Sequence, residues 1–527
     1  MAPQRFPNEA APPRLWFAPA LLVYPFLFIA ARNPGQVDGK VVATTITVAL
    51  IAWAILYALL RLRLRSPASA GLATTWLVVL FFSYGPLSTL LIDAGASRLG
   101  DRRSIAEWIR ESPHLMPSIT WLVLGLAGIW LIHRIRVNLA NAVAGVLNVA
   151  SILLLALVTV QLVGAAGAAS TDRPRVESVV TAGTGTPRDI YYIVLDGYAR
   201  ADVLQDQYDF DNGPFLAALR RRGFRVAEQS RANYYWTFLS LTSALNLDYL
   251  QSLLPGQLGP QSQKRKQAYR LLRDNRVAAF LRERGYRTVH LQSTWSGTAA
   301  NPYADDFRQC HGGLFSDEYL RALAEVSWLK ALGSRASLDL ATCHLNNLET
   351  LEILGSEPGP KFVFAHFLPP HHPYLFDREG HVLRRATLSD QFEFQKLLWE
   401  ARRPYVDQLT FVNERILRVI DRLRADSGQE PIIVLQSDHG PNLREGLSEK
   451  RQHQIRLANF SACLLPGAPD DLMPDDGTPV NHFRRIFNHY FGTGHPILED
   501  RYFVSPFARP YAFEEVDRNG AWAAESE

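Results

Sequence analysis

The stretch PIIVLQSDHGPN, residues 431–442, determines the fold class of the C-terminal part of this chain. Its first half is apolar and rich in β-branched residues, which is typical of a buried strand. Asp438 and His439 stand side by side where that strand is predicted to end. An acid next to an imidazole at a strand tip is either an ordinary polar turn or two ligands of one metal ion.

The segments upstream alternate between strand and helix patterns. In chain order they are RDIYYIVLDGY (188–198), GPFLAALRRRGF (213–224), YRTVHLQ (286–292), KFVFAHF (361–367) and QLTFVNERILRVIDRL (408–423). Alternation of this kind predicts an α/β domain with a mostly parallel sheet and helices on both faces.

Polar side chains stand at the ends of three of these predicted strands. Asp196 ends the first strand, His366 lies near the end of another, and Asp438 and His439 follow the last. Because ligands gather outside the carboxyl ends of parallel strands, these residues are expected to share one edge of the sheet. Oxygen and imidazole ligands together suit a divalent ion such as Zn²⁺ or Mn²⁺.

The first third of the sequence has a different character, with long apolar runs. Five runs are predicted to cross a membrane, since a spanning helix needs about 20 apolar residues: 15–31, 41–60, 71–92, 119–132 with its flanks, and 139–164. The first is not a cleavable signal peptide, because prolines precede it and further apolar runs follow.

Arginine placement predicts the orientation in the membrane. Arginines in the N-terminal segment and in the loops after the second and fourth runs are Arg5, Arg14, Arg61, Arg63, Arg65, Arg134 and Arg136. The loop 93–115 also carries arginines, but acids balance them. The positive-inside rule therefore puts the N-terminus in the cytoplasm and, after five crossings, everything beyond Ala165 outside.

These patterns predict four regions: a membrane domain of about five helices over 1–165, a linker over 166–188, an extracytoplasmic catalytic domain over 189–515, and a flexible tail over 516–527. A net charge of +4, with 55 basic against 51 acidic residues, gives no sign of a nucleic-acid partner.

The three cysteines are too few for a disulfide scaffold. Cys463 lies in an apolar strand pattern and is predicted to be a buried thiol. Cys310 and Cys343 would both lie outside the cytoplasm, where disulfides persist. Spacing leaves open whether they are bridged or free.

The segment NYYWTFLSLTSALN, residues 233–246, is a second candidate for chemistry. Thr237 stands at the start of an apolar helical run, where free N–H groups and the helix dipole favour an anion. A hydroxyl there, in contact with a metal, could ionise and attack phosphorus. The alternative is that Thr237 only caps the helix.

Taken together, the motifs resemble the alkaline phosphatase superfamily in its sulfatase-like branch. Within that branch the likeness is to lipoteichoic acid synthases and to phosphoethanolamine or phosphoglycerol transferases. It extends from about residue 189 to about 506 and rests on YYIVLDGYARADVL, NYYWTFLSLTSALN, FVFAHFLPPHHPYLFD, PIIVLQSDHGP, RLANFSACLLPG and VNHFRRIFNHYFG.

The resemblance implies a role for each candidate residue. The metal ligands would be Asp196, Thr237, Asp438 and His439, with Thr237 also the nucleophile. The residues implied to hold the phosphate or a second metal ion are His366, His371, its neighbour and rival His372, His453 and Arg451. One or two divalent ions would bind.

The implied activity is transfer of a phospho-group through a phosphothreonine. The donor would be a phospholipid or another lipid-linked molecule, and the acceptor an envelope glycan or lipid. The implied location is the bacterial inner membrane, with the catalytic domain facing the periplasm. Transferases of this type usually have Glu where this chain has Asp196, which keeps a phosphodiesterase or phosphatase as an alternative.

Two further points bear on the function. The Cys/Ser-x-Pro-x-Arg signature of formylglycine sulfatases is absent, since residues 236–240 read WTFLS. Hydrolysis of sulfate esters is therefore not expected. A non-catalytic, membrane-anchored binding or sensory protein is the remaining alternative, and bound metal would distinguish it from an enzyme.

Overall fold

A computed structural model describes residues 15–32, 37, 39–98, 114–166, 187–256, 259–263, 265–383 and 399–522. Most of the predicted linker 166–188 and the end of the predicted tail, 523–527, lie outside these residues. The N-terminal helices are α1 Phe17–Arg32, α2 Gly39–Arg61, α3 Pro67–Arg98, α4 Leu115–Arg134 and α5 Val137–Ala166.

Four of these helices are long and apolar enough to cross a membrane, with spans at Gly39–Arg61, Pro67–Ser88, Leu115–Arg134 and Val137–Leu162. Helix α1 is also apolar but has 16 residues. At 1.5 Å per residue it is roughly 24 Å long, against a hydrocarbon core of about 30 Å. Helices are thus present at all five predicted positions, and four of the five are long enough to span a membrane.

The chain forms two compact units, and the N-terminal one includes residues 319–332 from the C-terminal half of the sequence. Tyr319 Oη donates a hydrogen bond to the carbonyl oxygen of Phe26 at 3.2 Å, and Trp328 Nε1 donates to Ser118 Oγ at 3.1 Å. A Cβ atom at Gly85 would lie 1.8 Å from the carbonyl oxygen of Glu325. Glycine at that position therefore allows helix α3 and this segment to approach closely.

An apolar cavity of about 520 Å³ lies within the N-terminal unit. Side chains from α1 to α4 and from the 319–332 segment line it, among them Phe26, Trp53, Phe82, Trp121 and Trp328. The outer face of α2 is apolar and exposed, as expected for a helix that contacts lipid.

The second unit contains the strands and most of the helices that follow α5. Its strands are β1 Ile190–Leu195, β2 Arg225–Val226, β3 Arg287–Leu291, β4 Asp306–Arg308, β5 Lys361–Phe367, β6 Ile432–Gln436, β7 Ser461–Leu464, β8 Tyr502–Val504 and β9 Glu514–Val516. The helices after α5 are α6 Ala201–Tyr208, α7 Gly213–Arg221, α8 Thr237–Asn246, α9 Leu250–Leu253, α10 Lys266–Arg273, α11 Arg276–Arg282, α12 Glu318–Val326, α13 Gly333–Ile353, α14 Arg402–Asp426, α15 Glu449–Leu457 and α16 Pro479–Phe491.

The main sheet has seven strands in the order β2-β7-β6-β1-β5-β3-β4. The pairs from β6 across to β4 are parallel, while β7 pairs antiparallel with both β6 and β2. The predicted mostly parallel sheet is confirmed.

Alternate residues of β1 enter two separate cores. Tyr191, Ile193 and Leu195 pack on one face with α6, α7, α13 and α14, whereas Tyr192 and Val194 pack on the other with α8, α10, α11 and α16. Successive side chains of a strand point to opposite faces, so a strand that is apolar throughout must be covered on both. This explains the helices on both faces of the sheet.

The cysteines are arranged as one disulfide and one buried thiol. Cys310 and Cys343 form the disulfide, and Cys463 is buried in β7. The structure therefore answers whether Cys310 and Cys343 are bridged, which their spacing left open. It also agrees with the prediction that Cys463 is a buried thiol.

Residues 516–522 of the predicted tail are among those that the structure describes. Val516 ends strand β9 and forms a bridge with Trp522. The Trp522 ring lies 4.9 Å from that of His453. Residues 516–522 therefore contact the rest of the second unit through a strand bridge and an aromatic ring.

Candidate metal centre and active site

Three strand ends lie side by side and position the candidate site. In the register of the sheet, Val194 of β1 is opposite His366 of β5 on one side and Gln436 of β6 on the other. Asp196 follows two residues after Val194, and Asp438 follows two residues after Gln436. The predicted convergence at one edge of the sheet is what the structure has.

The side chains at this edge lie within a few ångströms of one another. His439 Nε2 is 3.1 Å from Asp438 Oδ2 and 3.8 Å from Asp196 Oδ1, and His366 Nε2 is 3.4 Å from Asp196 Oδ2. Ligand atoms of Asp196, Asp438 and His439 all lie within 4.8 Å of one another. All four side chains are buried. Buried carboxylates and imidazoles at these distances form a candidate site for a divalent ion.

Unsatisfied polar atoms support a metal ion here. Within the part of the chain that the structure describes, Asp196 Oδ1, Asp438 Oδ2 and His366 Nε2 are buried without a hydrogen-bond partner. Such atoms are rare because each loses its hydration without compensation. A divalent cation would give the two carboxylate oxygens a partner, so the residues present fit this cofactor.

His439 is in the tautomer that a metal ligand requires. Its Nδ1 lies 3.0 Å from the carbonyl oxygen of Gly440. A carbonyl oxygen only accepts, so Nδ1 carries the hydrogen and Nε2 keeps its lone pair. Burial, with the charge of Arg456, also holds the pKa of His439 well below its usual range, which keeps the ring neutral.

The two carboxyl groups differ in pKa. Burial and the charge of Asp196 raise the pKa of Asp438 above its usual range. Burial also acts to raise the pKa of Asp196, but His371 and His366 outweigh it and hold that pKa below its usual value. Two buried carboxylates this close repel each other, and a divalent cation would remove that repulsion.

Backbone and hydroxyl donors hold Asp438 in place. The N–H of Gly197 donates to Asp438 Oδ1 at 3.0 Å, and Ser240 Oγ donates to the Asp438 carbonyl oxygen at 2.7 Å. Gly197 has a φ of +63°, and a Cβ there would lie 2.4 Å from Trp399 Cη2. Glycine is required at this position by both conformation and space.

Thr237 is the first residue of α8. Its hydroxyl reaches the cluster formed by Asp196, Asp438 and His439, called the acidic cluster below. Thr237 Oγ1 lies 3.1 Å from His439 Nε2. The cap position belongs to Trp236, and this helix end has no side-chain cap hydrogen bond. The geometry thus does not support the helix-cap alternative, and it places a half-buried hydroxyl at a positive helix end beside the candidate ligands.

The family model described as Sulfatase matches residues 188–485, more than half of the 527-residue chain. The chain belongs to the sulfatase family. The matched range contains every candidate site residue, and the predicted sulfatase-like character of the domain is confirmed.

Solved structures similar to this sulfatase-family chain include transferases. The C-terminal periplasmic domain of EptC from Escherichia coli has 12% identity over 64% of this chain and 95% of its own, with a TM-score of 0.42. The lipooligosaccharide phosphoethanolamine transferase EptA from Neisseria meningitidis has 14% identity over 90% of this chain and 94% of its own, with a TM-score of 0.40. An alkaline phosphatase superfamily protein from Vibrio parahaemolyticus has 13% identity over 67% of this chain and 81% of its own, with a TM-score of 0.39. No curated protein matches the sequence.

Two of the predicted histidines lie in the loop that follows β5. The His371 N–H donates to the Asp196 carbonyl oxygen at 3.2 Å, and the rings of His371 and His372 are 4.1 Å apart. Both rings pack against Trp399. His371 is therefore beside the first candidate ligand with His372 next to it, and their roles remain predictions.

Two other predicted residues have contacts elsewhere. Arg451 forms an ion pair with Asp206, and His453 Nδ1 donates to the Gly520 carbonyl oxygen at 3.2 Å. The His453 ring also packs against Tyr235 and Trp522. The structure does not bring either side chain to the acidic cluster.

Arg456 is the residue at this site that the sequence analysis missed. It is buried, and its Nη2 lies 2.9 Å from His439 Nε2. Arg451 lies five residues earlier in α15, roughly 140° away around an axis with 3.6 residues per turn. Arg456 opens the segment RLANFSACLLPG, five residues before strand β7, and no local pattern distinguished it from Arg451.

Proposed function

We propose that this protein is a membrane-anchored, metal-dependent enzyme that transfers a phospho-group from a phospholipid head group to an acceptor hydroxyl. The observation that carries the proposal is the hydroxyl of Thr237, 3.1 Å from His439 Nε2 and beside two buried carboxylates. Asp196, Asp438, His439 and Thr237 would hold the ion, which is Zn²⁺ or Mn²⁺ by ligand chemistry.

The proposed reaction has two displacement steps at phosphorus. The bound ion would stabilise negative charge on the transferring group and favour the ionised hydroxyl. Thr237 Oγ forms a bond to phosphorus as the bond from phosphorus to the lipid alcohol breaks, and that alcohol takes the proton. The acceptor hydroxyl then attacks phosphorus, the bond to Thr237 Oγ breaks, and Thr237 regains a proton. His366 and His371 would orient the oxygens of the group.

Cysteine placement supports phosphorus rather than sulfur chemistry. The formylglycine signature is absent around Thr237, where the sequence reads WTFLS. Cys310 and Cys343 are joined to each other, and Cys463 is buried in β7. The precursor of the aldehyde nucleophile of a formylglycine sulfatase is therefore missing from this segment, although the chain belongs to the sulfatase family.

The membrane unit supports a lipid donor. It offers an apolar cavity of about 520 Å³ among helices α1 to α4, which suits an acyl chain better than a polar molecule. The disulfide supports an oxidising compartment for the second unit. We accordingly propose the bacterial inner membrane, with the catalytic unit facing the periplasm and an envelope glycan or lipid as acceptor.

A hydrolase is the second candidate, and Asp196 favours it. This first ligand is Asp, as in phosphatases and phosphodiesterases, where the transferases that the sequence resembles usually have Glu. Water would then take the phospho-group from Thr237 in the second step, while the first step would be unchanged.

Product analysis tests both candidates. Zinc-loaded full-length protein in detergent micelles is mixed with head-group-labelled phospholipids, with and without a lipid acceptor, and products are read by mass spectrometry. Diacylglycerol release, with the label first on the peptide containing Thr237 and then on the acceptor, is expected for the transferase. Label ending only in water-soluble phosphate would indicate the hydrolase. Protein that retains no zinc after loading and forms no products would favour the non-catalytic binding protein.

A further inference from the structure

Arg456 is held rigidly on one side of the candidate metal centre. Its Nη1 donates to the Gly440 carbonyl oxygen at 2.8 Å, and its Nε donates to the Tyr235 carbonyl oxygen at 3.0 Å. The guanidinium also lies over the ring of Trp236, with Cζ 5.4 Å from the ring centroid. Two backbone anchors therefore fix its plane and leave Nη2 directed at His439.

The contact between Arg456 and His439 competes with metal binding. His439 Nδ1 already donates to the Gly440 carbonyl oxygen, so its ring has one lone pair, on Nε2. Arg456 Nη2 donates to that lone pair at 2.9 Å. A metal ion bound by His439 would use the same lone pair. Metal binding therefore leaves a buried, charged N–H donor without its acceptor, which is unfavourable unless another acceptor enters.

We propose that Arg456 is the anion-binding residue of this site and that, once metal is bound, its Nη2 donates to a non-bridging oxygen of the phospho-group. This inference rests on the proposed function and deepens it. Thr237 Oγ1 is 3.1 Å from the same His439 Nε2 atom, so donor and nucleophile flank one point. A group attacked by Thr237 brings its oxygens to Arg456, and charge-assisted hydrogen bonds from arginine to phosphate are strong.

The competing explanation is that Arg456 only positions His439 through the Gly440 carbonyl group. Both roles predict a loss of activity on substitution, so activity alone does not separate them. Affinity for a phosphate anion does, when bound zinc is measured on the same samples. The binding role also predicts that the effect depends on metal, because His439 occupies Nη2 in the metal-free protein.

The test uses inorganic phosphate as the probe and full-length protein in detergent micelles. Phosphate affinity is measured by titration calorimetry for wild type, Arg456→Met and Arg456→Lys, each with zinc and after zinc removal. Arg484→Met is the matched control. Arg484 is also buried and also anchored by two carbonyl groups, those of Leu247 and Pro496, but it has no contact with the acidic cluster in the described structure.

With zinc bound, we expect phosphate affinity to fall at least about tenfold in Arg456→Met, to fall less in Arg456→Lys and to stay unchanged in Arg484→Met. Without zinc, wild type and Arg456→Met should differ little. Wild-type phosphate affinity in zinc-bound Arg456→Met would overturn the inference. Loss of zinc from both Arg456 variants, with Arg484→Met retaining it, would instead make Arg456 a positioning residue. If zinc-loaded wild type binds no phosphate, the proposed function fails and this inference fails with it.

Discussion

Thr237 carries the proposed chemistry at the scale of a single residue, since its Oγ1 lies 3.1 Å from His439 Nε2. Thr237→Ala removes the attacking oxygen and should lower turnover by several orders of magnitude. Thr237→Ser keeps the oxygen and should retain measurable turnover. Steady-state kinetics on labelled phospholipid measure both.

The matched control for Thr237→Ala is Thr410→Ala in the middle of α14. The Thr410 hydroxyl donates to the Val406 carbonyl oxygen at 2.8 Å, one turn earlier in the same helix. This variant should turn over like wild type. Near-normal turnover by folded Thr237→Ala protein would rule out Thr237 as the nucleophile.

A substitution at Asp438 tests the metal site itself, because Asp438 Oδ2 is buried without a hydrogen-bond partner in the described part of the chain. Asp438→Ala should lose most bound zinc and activity together, because one of only four proposed ligands is removed. Thr237→Ala should keep more zinc, because both carboxylates and His439 remain. Elemental analysis of purified protein measures this, with the exposed, ion-paired Asp421 as the site of a control alanine substitution. Full zinc content in Asp438→Ala would contradict the predicted ligand set.

At the scale of elements, helix α16 is tied to the end of β6 by a buried histidine. His482 Nδ1 lies 2.8 Å from Gln436 Oε1, and Gln436 is the last residue of β6. Burial, with the charge of Arg485, lowers the pKa of His482 to about 4. The unfolded value is about 6.5, so between these two pH values the unfolded chain binds a proton that the folded chain does not.

The contribution of His482 to stability is therefore fully present above about pH 6.5 and is lost as pH falls toward 4. The free energy of unfolding should decline over this window by up to about 1.4 kcal/mol per pH unit from this group. His482→Asn keeps a donor for Gln436 without titrating, so its pH dependence should be shallower. Unfolding temperatures measured from pH 4 to 7 after zinc removal give the comparison. Parallel curves for the two proteins would show that His482 does not contribute.

At the scale of the whole molecule, the disulfide closes a loop that contains a short segment of the membrane unit. Cys310 and Cys343 are 33 residues apart in sequence and enclose residues 319–332, which pack within the membrane unit. Closing a loop of this length lowers the entropy of the unfolded chain, which raises its free energy by about 3 to 4 kcal/mol on the chain-entropy account. The double variant Cys310→Ala/Cys343→Ala should therefore unfold at a clearly lower denaturant concentration.

Mapping the bridge gives an independent check. Non-reducing digestion should yield a peptide that links Cys310 to Cys343, both in wild type and in Cys463→Ala. Free thiols at both positions, in protein from an oxidising compartment, would exclude the bridge.

Membrane topology is the last prediction at this scale. A reporter that is active only outside the cytoplasm, fused after Arg188, should be active, whereas a fusion at Arg63 should be silent. The reverse result would invert the orientation. A fusion before Leu15 tests whether the 16-residue helix α1 crosses, because four crossings instead of five would put both ends of the membrane unit on one side.

The sequence by itself determined the fold class and the four residues at the sheet edge that follow or end strands. A buried strand is recognised from its own apolar, β-branched residues, and parallel strands end at one edge whatever their order. The convergence of Asp196, His366, Asp438 and His439 was therefore predictable from the local sequence around each strand. The apolar helices of the membrane unit were likewise predictable from length and composition alone.

Only the tertiary structure decided which side chains of a helix reach that edge. Arg451, His453 and Arg456 share helix α15, and its rotation about its axis brings Arg456 to His439 while Arg451 pairs with Asp206. The same holds for the packing of residues 319–332 with the N-terminal helices and for the pairing of Cys310 with Cys343. These contacts join segments distant in sequence, and their energies depend on how whole elements pack, which no local pattern encodes.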